Sequence, residues 1–153
     1  MNINPNMRLA FRRLPHGEGL PLPDYKTPGA AGMDLQAAVP GQRVRLWANT
    51  VVAVPTGFAA EIPHGCEGQV RPRSSMGVRG ISIANAPGTI DCDYRGEIIV
   101  LLRYSGEEPY VEIKHGDRIA QLIIAPVLQL PVVELETLSE TARGEGGFGS
   151  TGR

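Results

Sequence analysis

Five stretches of this chain carry polar residues beyond what a plain fold requires. AGMDL (31–35) sets Asp34 among apolar neighbours, and RPRSSMG (71–77) brings Arg71, Arg73, Ser74 and Ser75 together. NAPGTIDCDYRG (85–96) holds Asn85, Asp91, Asp93 and Tyr94, and GDRIAQ (116–121) holds Asp117, Arg118 and Gln121. The last stretch, RGEGGFGSTGR (143–153), combines glycines with Arg143, Phe148, Ser150, Thr151 and Arg153. Exposed backbone N–H groups, hydroxyls and guanidinium forks suit a polyphosphate, and the Phe148 ring offers a face on which a base can stack. The terminal stretch nearly matches the phosphate-loop pattern at Gly144, Gly149 and Thr151, but Ser150 stands where that loop needs lysine and no helix can follow, so it is not a P-loop.

Each stretch alone has a plainer reading. Asp34 beside glycine suits a turn or cap, RPRSS a solvated basic face, and GDR a hairpin turn, the reading preferred here for Asp117 and Arg118. Asp91 and Asp93 resemble half a metal site, since strict alternation puts both on one strand face, but no further ligands follow at calcium-loop spacing. The glycine-rich end reads equally as a fraying terminus. His16, His64 and His115 lack metal-ligand spacing and read as structural or exposed. Cys92 reads as packing, and Trp47 with Arg43 and Arg45 as strand faces.

The elements that must position these residues are strands. At 153 residues the chain is expected to form one domain with a real core. Its 19 glycines and 13 prolines argue for many turns and few helices. Strand candidates are 7–14, 30–39, Val44–Leu46, Thr50–Val54 and Phe58–Ile62 with 55–57 as the turn, 68–73, 81–91, 96–105, a strand pair over 111–128 turning at His115–Asp117, and 131–138. One short helix is expected near Ser74–Val78. About ten short strands indicate an all-β sandwich, jelly roll or barrel. A formal charge of −1 gives no reason to expect nucleic-acid binding. The most apolar stretch, 122–133, is broken by Pro126 and Pro131 and falls short of the ~20 residues of a membrane span. Two cysteines and no signal-peptide pattern fit a reducing cytoplasm.

Taken together and in order, AGMDL, PRSSMG, GTIDCDYRGE, GDRIAQLI and RGEGGFGSTG resemble the five motifs of the trimeric dUTPase family, over nearly the whole chain from Ala31 to Gly152. The resemblance implies a jelly-roll-like all-β core over 1–141 and a mobile arm over 142–153 that closes on an active site. It implies a homotrimer with sites shared between subunits. The implied reaction is hydrolysis of dUTP to dUMP and pyrophosphate, which keeps uracil out of DNA and supplies dUMP for thymidylate synthesis.

By the same resemblance, Asp91 is the general base that activates water for attack on the α-phosphorus. Mg²⁺ is carried by the three phosphates, and Asp34 acts on its waters. Arg73, Ser74, Ser75 and Gln121 match phosphate-contacting positions, and Arg143, Gly149, Ser150 and Thr151 match the arm's. Asn85 with Gly88, Thr89 and Ile90 matches the hairpin that reads uracil. Tyr94 matches the tyrosine packed under deoxyribose, and Phe148 the ring stacked over the base. Ser75 departs from the glycine that many members carry. Asp91 and Tyr94 can serve one site only if the chain bends at DCDYRG, which Gly96 permits. A related reading on the same fold, dCTP deaminase, lacks a clear catalytic glutamate in the setting that family uses. A binding protein that keeps the fold without catalysis would bind nucleotide without releasing pyrophosphate.

Overall fold

The computed structural model describes residues 7–147. Alternation of buried and exposed side chains along its strands explains how they stack. In β8 (Glu97–Tyr104), Ile98, Val100, Leu102 and Tyr104 point inward and Ile99 and Arg103 outward, the period-2 pattern of a strand covered on one face. Beside it lie β4 (Val51–Glu61) and β6 (Ile81–Ile83), and β1 (Ala10–Arg13) closes the far edge of β4, so the first sheet runs β1-β4-β8-β6. The second sheet runs β2-β10-β5-β7, from β2 (Met33–Gln36), β10 (Arg118–Pro126), β5 (Cys66–Arg71) and β7 (Gly88–Ile90). A two-stranded ribbon pairs β3 (Arg43–Trp47) with β9 (Tyr110–Lys114). All sheet pairings are antiparallel.

Val54, Val100 and Leu102 of the first sheet, Leu35, Val70 and Leu122 of the second, and Leu46 and Ile113 of the ribbon meet in one apolar cluster. Fully burying a side chain of this size contributes about 1.5–3 kcal/mol. The result is an all-β domain, as the strand count indicates, and of the jelly-roll-like kind that the resemblance implies. The single α-helix among the described residues, α1 (Ser74–Val78), is the short one expected, and buried Met76 ties it to the core.

Three expectations are corrected. Residues 50–62 are not two strands around a turn, because β4 runs unbroken through Pro55–Gly57. There the register against β8 shifts between Pro55 and Ala59, and Gly57 takes φ +76°. The Glu97 carboxylate accepts the Gly57 N–H at 2.7 Å, and the Thr56 hydroxyl, fully buried, donates to the Ile98 carbonyl at 2.7 Å. The breaker residues thus make a bulge, where proline and glycine are tolerated inside a sheet. Secondly, β9 and β10 flank the expected turn at His115–Asp117 but do not pair with each other. β9 joins β3, and β10 lies between β2 and β5. Thirdly, 131–138 forms no strand. After the Val127 N–H bonds the Gly65 carbonyl at 2.9 Å, the chain carries no strand or helix through residue 141. A strand needs an edge to pair with, and Leu130, Val132, Val133, Leu135 and Leu138 are exposed, Val132 at 98 %.

Candidate active site

The third motif builds a pocket. β6 ends at Ile83, and a turn through Asn85 and a cis Ala86–Pro87 peptide returns the chain as β7. β7 pairs with β5, placing Gly88 opposite Val70 and Ile90 opposite Gly68. A Cβ added to Gly88 would lie 3.2 Å from Asn85 Nδ2 and 3.4 Å from Val70 Cβ, so glycine is what lets the asparagine amide pack against β7. The hairpin expected here is corrected to a crossing between sheets, because β6 pairs with β8 and β7 with β5. β7 stops at Ile90, and the Tyr94 N–H bonds the Asp91 carbonyl at 3.1 Å. That turn is the bend the sequence required, and it replaces the strand on which Asp91 and Asp93 would have shared a face.

The Tyr94 hydroxyl donates to the Glu97 carbonyl at 3.0 Å, and its ring covers Gly96 so closely that a side chain there would collide with it. Asn85, Gly88, Thr89, Ile90, Asp91 and Tyr94 together line a hollow of about 270 Å³ backed by Val70, Glu97, Ile99 and Leu101. Asp91 is exposed at its rim, and no hydrogen bond or ion pair holds its carboxylate among the described residues.

The first, second and fourth motifs build a separate cluster. Asp34 on β2 is opposite Gln121 on β10, and Gln121 is opposite Arg71 on β5. The Asp34 side chain is only 8 % exposed, and both its oxygens accept from arginines. Arg73 Nε donates to Oδ1 at 2.9 Å, and Arg118 Nη1 donates to Oδ2 at 3.3 Å. Arg73 Nη1 also donates to Ser75 Oγ at 3.2 Å and to the Arg118 carbonyl at 3.4 Å. The turn of α1 presents Ser74 and Ser75 to solvent beside it. Arg118, read from sequence as a hairpin-turn residue, therefore belongs to this cluster. The missed signal was its spacing of three from Gln121, which regular alternation sends to the opposite face. Asp117 keeps the turn role, its carboxylate accepting the Lys114 N–H at 2.8 Å. Near the same turn, Gln36 Oε1 and His115 Nδ1 are buried without a hydrogen-bond partner.

None of Asp34, Arg73, Ser74, Ser75 or Gln121 lines the pocket built by Asn85, β7, Asp91 and Tyr94. Arg143 lies in an exposed turn, its Nε donating to the Gly146 carbonyl at 2.8 Å. Phe148, Gly149, Ser150 and Thr151 lie outside the described residues. Among the described residues no three His, Cys, Asp or Glu side chains are gathered to hold a metal. The donor set therefore fits a divalent ion that arrives on phosphates with its own water, and not a protein cage. Asp34 is the carboxylate of the arginine cluster, and its oxygens already serve two guanidinium groups. His16 is structural, with Nε2 2.7 Å from Glu97 Oε1. No helix among the described residues is long and apolar enough to cross a membrane.

This fold defines the class, a jelly-roll-like all-β domain. The dUTPase family model matches residues 18–152. The chain is 54 % identical over 148 residues to the deoxyuridine 5'-triphosphate nucleotidohydrolase of Methylocella silvestris, covering 95 % of this chain and 92 % of that protein. It is 58 % identical over 142 residues to the enzyme of the same name from Rhizobium etli strain CIAT 652, covering 92 % and 90 %. The solved dUTPase of Staphylococcus bacteriophage 80alpha with dUpNHpp superposes at a TM-score of 0.81 with 25 % identity, covering 95 % and 99 %. A mutant dUTPase from phage phi11 of S. aureus, described with a coordinated structural Mg(II) ion, has the same fold at a TM-score of 0.73 and 21 % identity, covering 85 % and 97 %. The chain belongs to the dUTPase family and is a hydrolase.

Proposed function

We propose that this enzyme hydrolyses dUTP to dUMP and pyrophosphate by attack of an Asp91-activated water on the α-phosphorus. The observation that carries this reading is the convergence of Asn85, the β7 backbone, Asp91 and Tyr94 on one small pocket. Uracil seats against β7 and Asn85, pairing its N–H and carbonyls with fixed partners. Cytosine would leave such partners unpaired, and a base seated edge-on against β7 leaves no space for a 5-methyl group. Tyr94, braced on the Glu97 carbonyl, packs under the deoxyribose and excludes a 2'-hydroxyl. Asp91 at the rim is open to water and to the first phosphate. An aspartate is a weak base, so holding the water in line supplies much of the effect.

Arg73, Ser74, Ser75 and Gln121 grip the phosphates, arginine through its permanent charge and planar fork. Asp34 would hold Mg²⁺ through the ion's waters, and the chemistry the ion would supply is positive charge to offset the leaving pyrophosphate. Because the arginine cluster contributes no residue to the pocket, the site is assembled between subunits of a homotrimer. Residues 142–153 act as an arm closing over it, with Arg143, Gly149, Ser150 and Thr151 on the phosphates and Phe148 over the base. The exposed apolar side chains of 128–138 support contact with other copies of the chain. The dUMP formed feeds thymidylate synthesis, and removal of dUTP keeps uracil out of DNA.

The test is pyrophosphate release with Mg²⁺ from dUTP, dTTP, dCTP and UTP in parallel. Release from dUTP alone is expected. Equal release from UTP would overturn the role given to Tyr94, and silence on all four would overturn the reading as a whole.

A further inference from the structure

β10 reaches the site through a bulge. Gln121 is opposite Asp34 and Arg118 is opposite Gln36, while the register against β2 shifts between Arg118 and Ala120. Side chains opposite each other share a face, and Asp34 and Gln36, two apart on β2, share theirs. Arg118 and Gln121 therefore lie on one face although they are three apart, which a regular strand forbids. Ile119 and Ala120, both buried, absorb the extra residue. Bulges of this kind re-aim a side chain. Here the re-aimed side chain is a guanidinium, delivered to the second oxygen of Asp34.

We infer that Arg118 is a positioning residue that holds Arg73 in place for phosphate by clamping Asp34 from the opposite side. This rests on the reading of Arg73 as a phosphate-gripping residue. Asp34 is 8 % exposed at its side chain and Arg73 19 %, so the pair Asp34–Arg73 is largely withdrawn from water, while Arg118 at 54 % closes the solvent side. With Oδ2 bonded by Arg118, the carboxylate cannot rotate away from Arg73 Nε. Arg73 Nη1 is tethered in turn by Ser75 Oγ and by the Arg118 carbonyl. That leaves the Nη2 edge of Arg73 as the part of the fork presented to an incoming anion. A fork held on three sides has little left to lose on binding, the gain that preorganisation gives. The bulge thus supplies both a side chain and a carbonyl to the same task.

Two measurements on the full-length protein test this. The first needs no substrate. In ¹⁵N NMR the Arg73 Nε–H should be resolved and protected in the wild type and should lose protection in Arg118→Ala, with the backbone spectrum of the core unchanged. Retained protection would overturn the inference whether or not dUTP is the substrate. The second is kinetic. Arg118→Ala should lower kcat/KM for dUTP about 10- to 100-fold, and should lower it less than about twofold in an Arg73→Lys background, where the fork it positions is gone. An equal loss in both backgrounds would show that Arg118 acts on substrate by itself and overturn the positioning role. Arg118→Met, of similar length and without charge, should give the same pair of results and serves if the alanine variant has no cooperative melting transition. A wild type that releases no pyrophosphate from dUTP would fail the functional reading while leaving the first measurement decisive for this one.

Discussion

Asp91 stands at the point where β7 runs out and the chain turns back through Tyr94. Its carboxylate is exposed, with no hydrogen bond or ion pair among the described residues, whereas the Asp34 side chain is 8 % exposed and is held by two arginines. Asp91→Asn should keep dUTP binding within about threefold while lowering kcat by about 10²–10⁴. Turnover by single-turnover assay and affinity by calorimetry check this, and unchanged kcat would remove Asp91 as the base. Gly88 is the other residue whose chemistry is decided locally. Gly88→Ala places a methyl group 3.2 Å from the Asn85 amide, so the turn carrying Asn85 must give by a few tenths of an ångström. KM for dUTP should rise about tenfold, with the melting temperature nearly unchanged. A large fall in melting temperature with normal KM would mean that the glycine serves packing alone.

At the scale of elements, irregularities carry the function and regular strands carry the stability. The bulge in β4 brings the Gly57 N–H to Glu97, which backs the pocket, and the bulge in β10 brings Arg118 to Asp34. The β3–β9 ribbon is held on its outer face by a different device. Glu112 accepts from Arg43 at 2.9 Å and from Arg45 at 3.4 Å. The hydrogen bond from Arg43 is the main reason its carboxyl titrates below the ordinary 4.5; Arg45 adds to this, and burial opposes it. A carboxyl whose pKa is lowered by folding contributes stability above its unfolded pKa and loses it as the pH falls through the folded value. Glu112→Gln should therefore melt below the wild type at pH 7, and the difference should close as the pH drops below about 4.5. Thermal melts across pH 3–7 read this directly, and a difference that stays constant would mean that packing, and not charge, is what the substitution removes.

At the scale of the whole molecule, the arginine cluster contributes no residue to the pocket at Asn85, β7 and Tyr94, and segment 128–138 exposes a run of apolar side chains. A cyclic trimer with head-to-tail interfaces lets the pocket of one subunit meet the arginines of another. Asp91→Asn and Arg73→Ala should each be nearly inactive alone. Unfolded and refolded together, they should recover roughly a quarter of wild-type activity, since some sites then take an intact pocket from one subunit and intact arginines from its neighbour. No recovery would place both halves of the site within one chain.

Much was determined by the sequence alone, because it depends on neighbours along the chain. Alternation at Val44 and Leu46 located β3, and turn-separated strand composition located β5 and β8. The short helix expected near Ser74–Val78 is there. The five motifs, read in order, placed the chain in its family and singled out Asp34, Arg73, Asn85, Asp91, Tyr94 and Gln121 as candidates. Backbone pairing over long separations decided the rest. Pro55 and Gly57 look like a turn until Glu97, 40 residues away, accepts the Gly57 N–H and keeps β4 whole. His115–Asp117 looks like the turn of a hairpin, yet β3 and β5 capture the two flanking strands separately. Residues 131–138 have the composition of a strand but find no edge within their own chain. Arg118 looks like a turn residue, and only the register of β10 against β2, with one extra residue absorbed, turns it toward Asp34. The physical reason is common to all four. Propensity and periodicity are local, but a strand's partner and register are set by hydrogen bonds and core packing with segments far away in sequence, and a register shift changes which face a side chain serves.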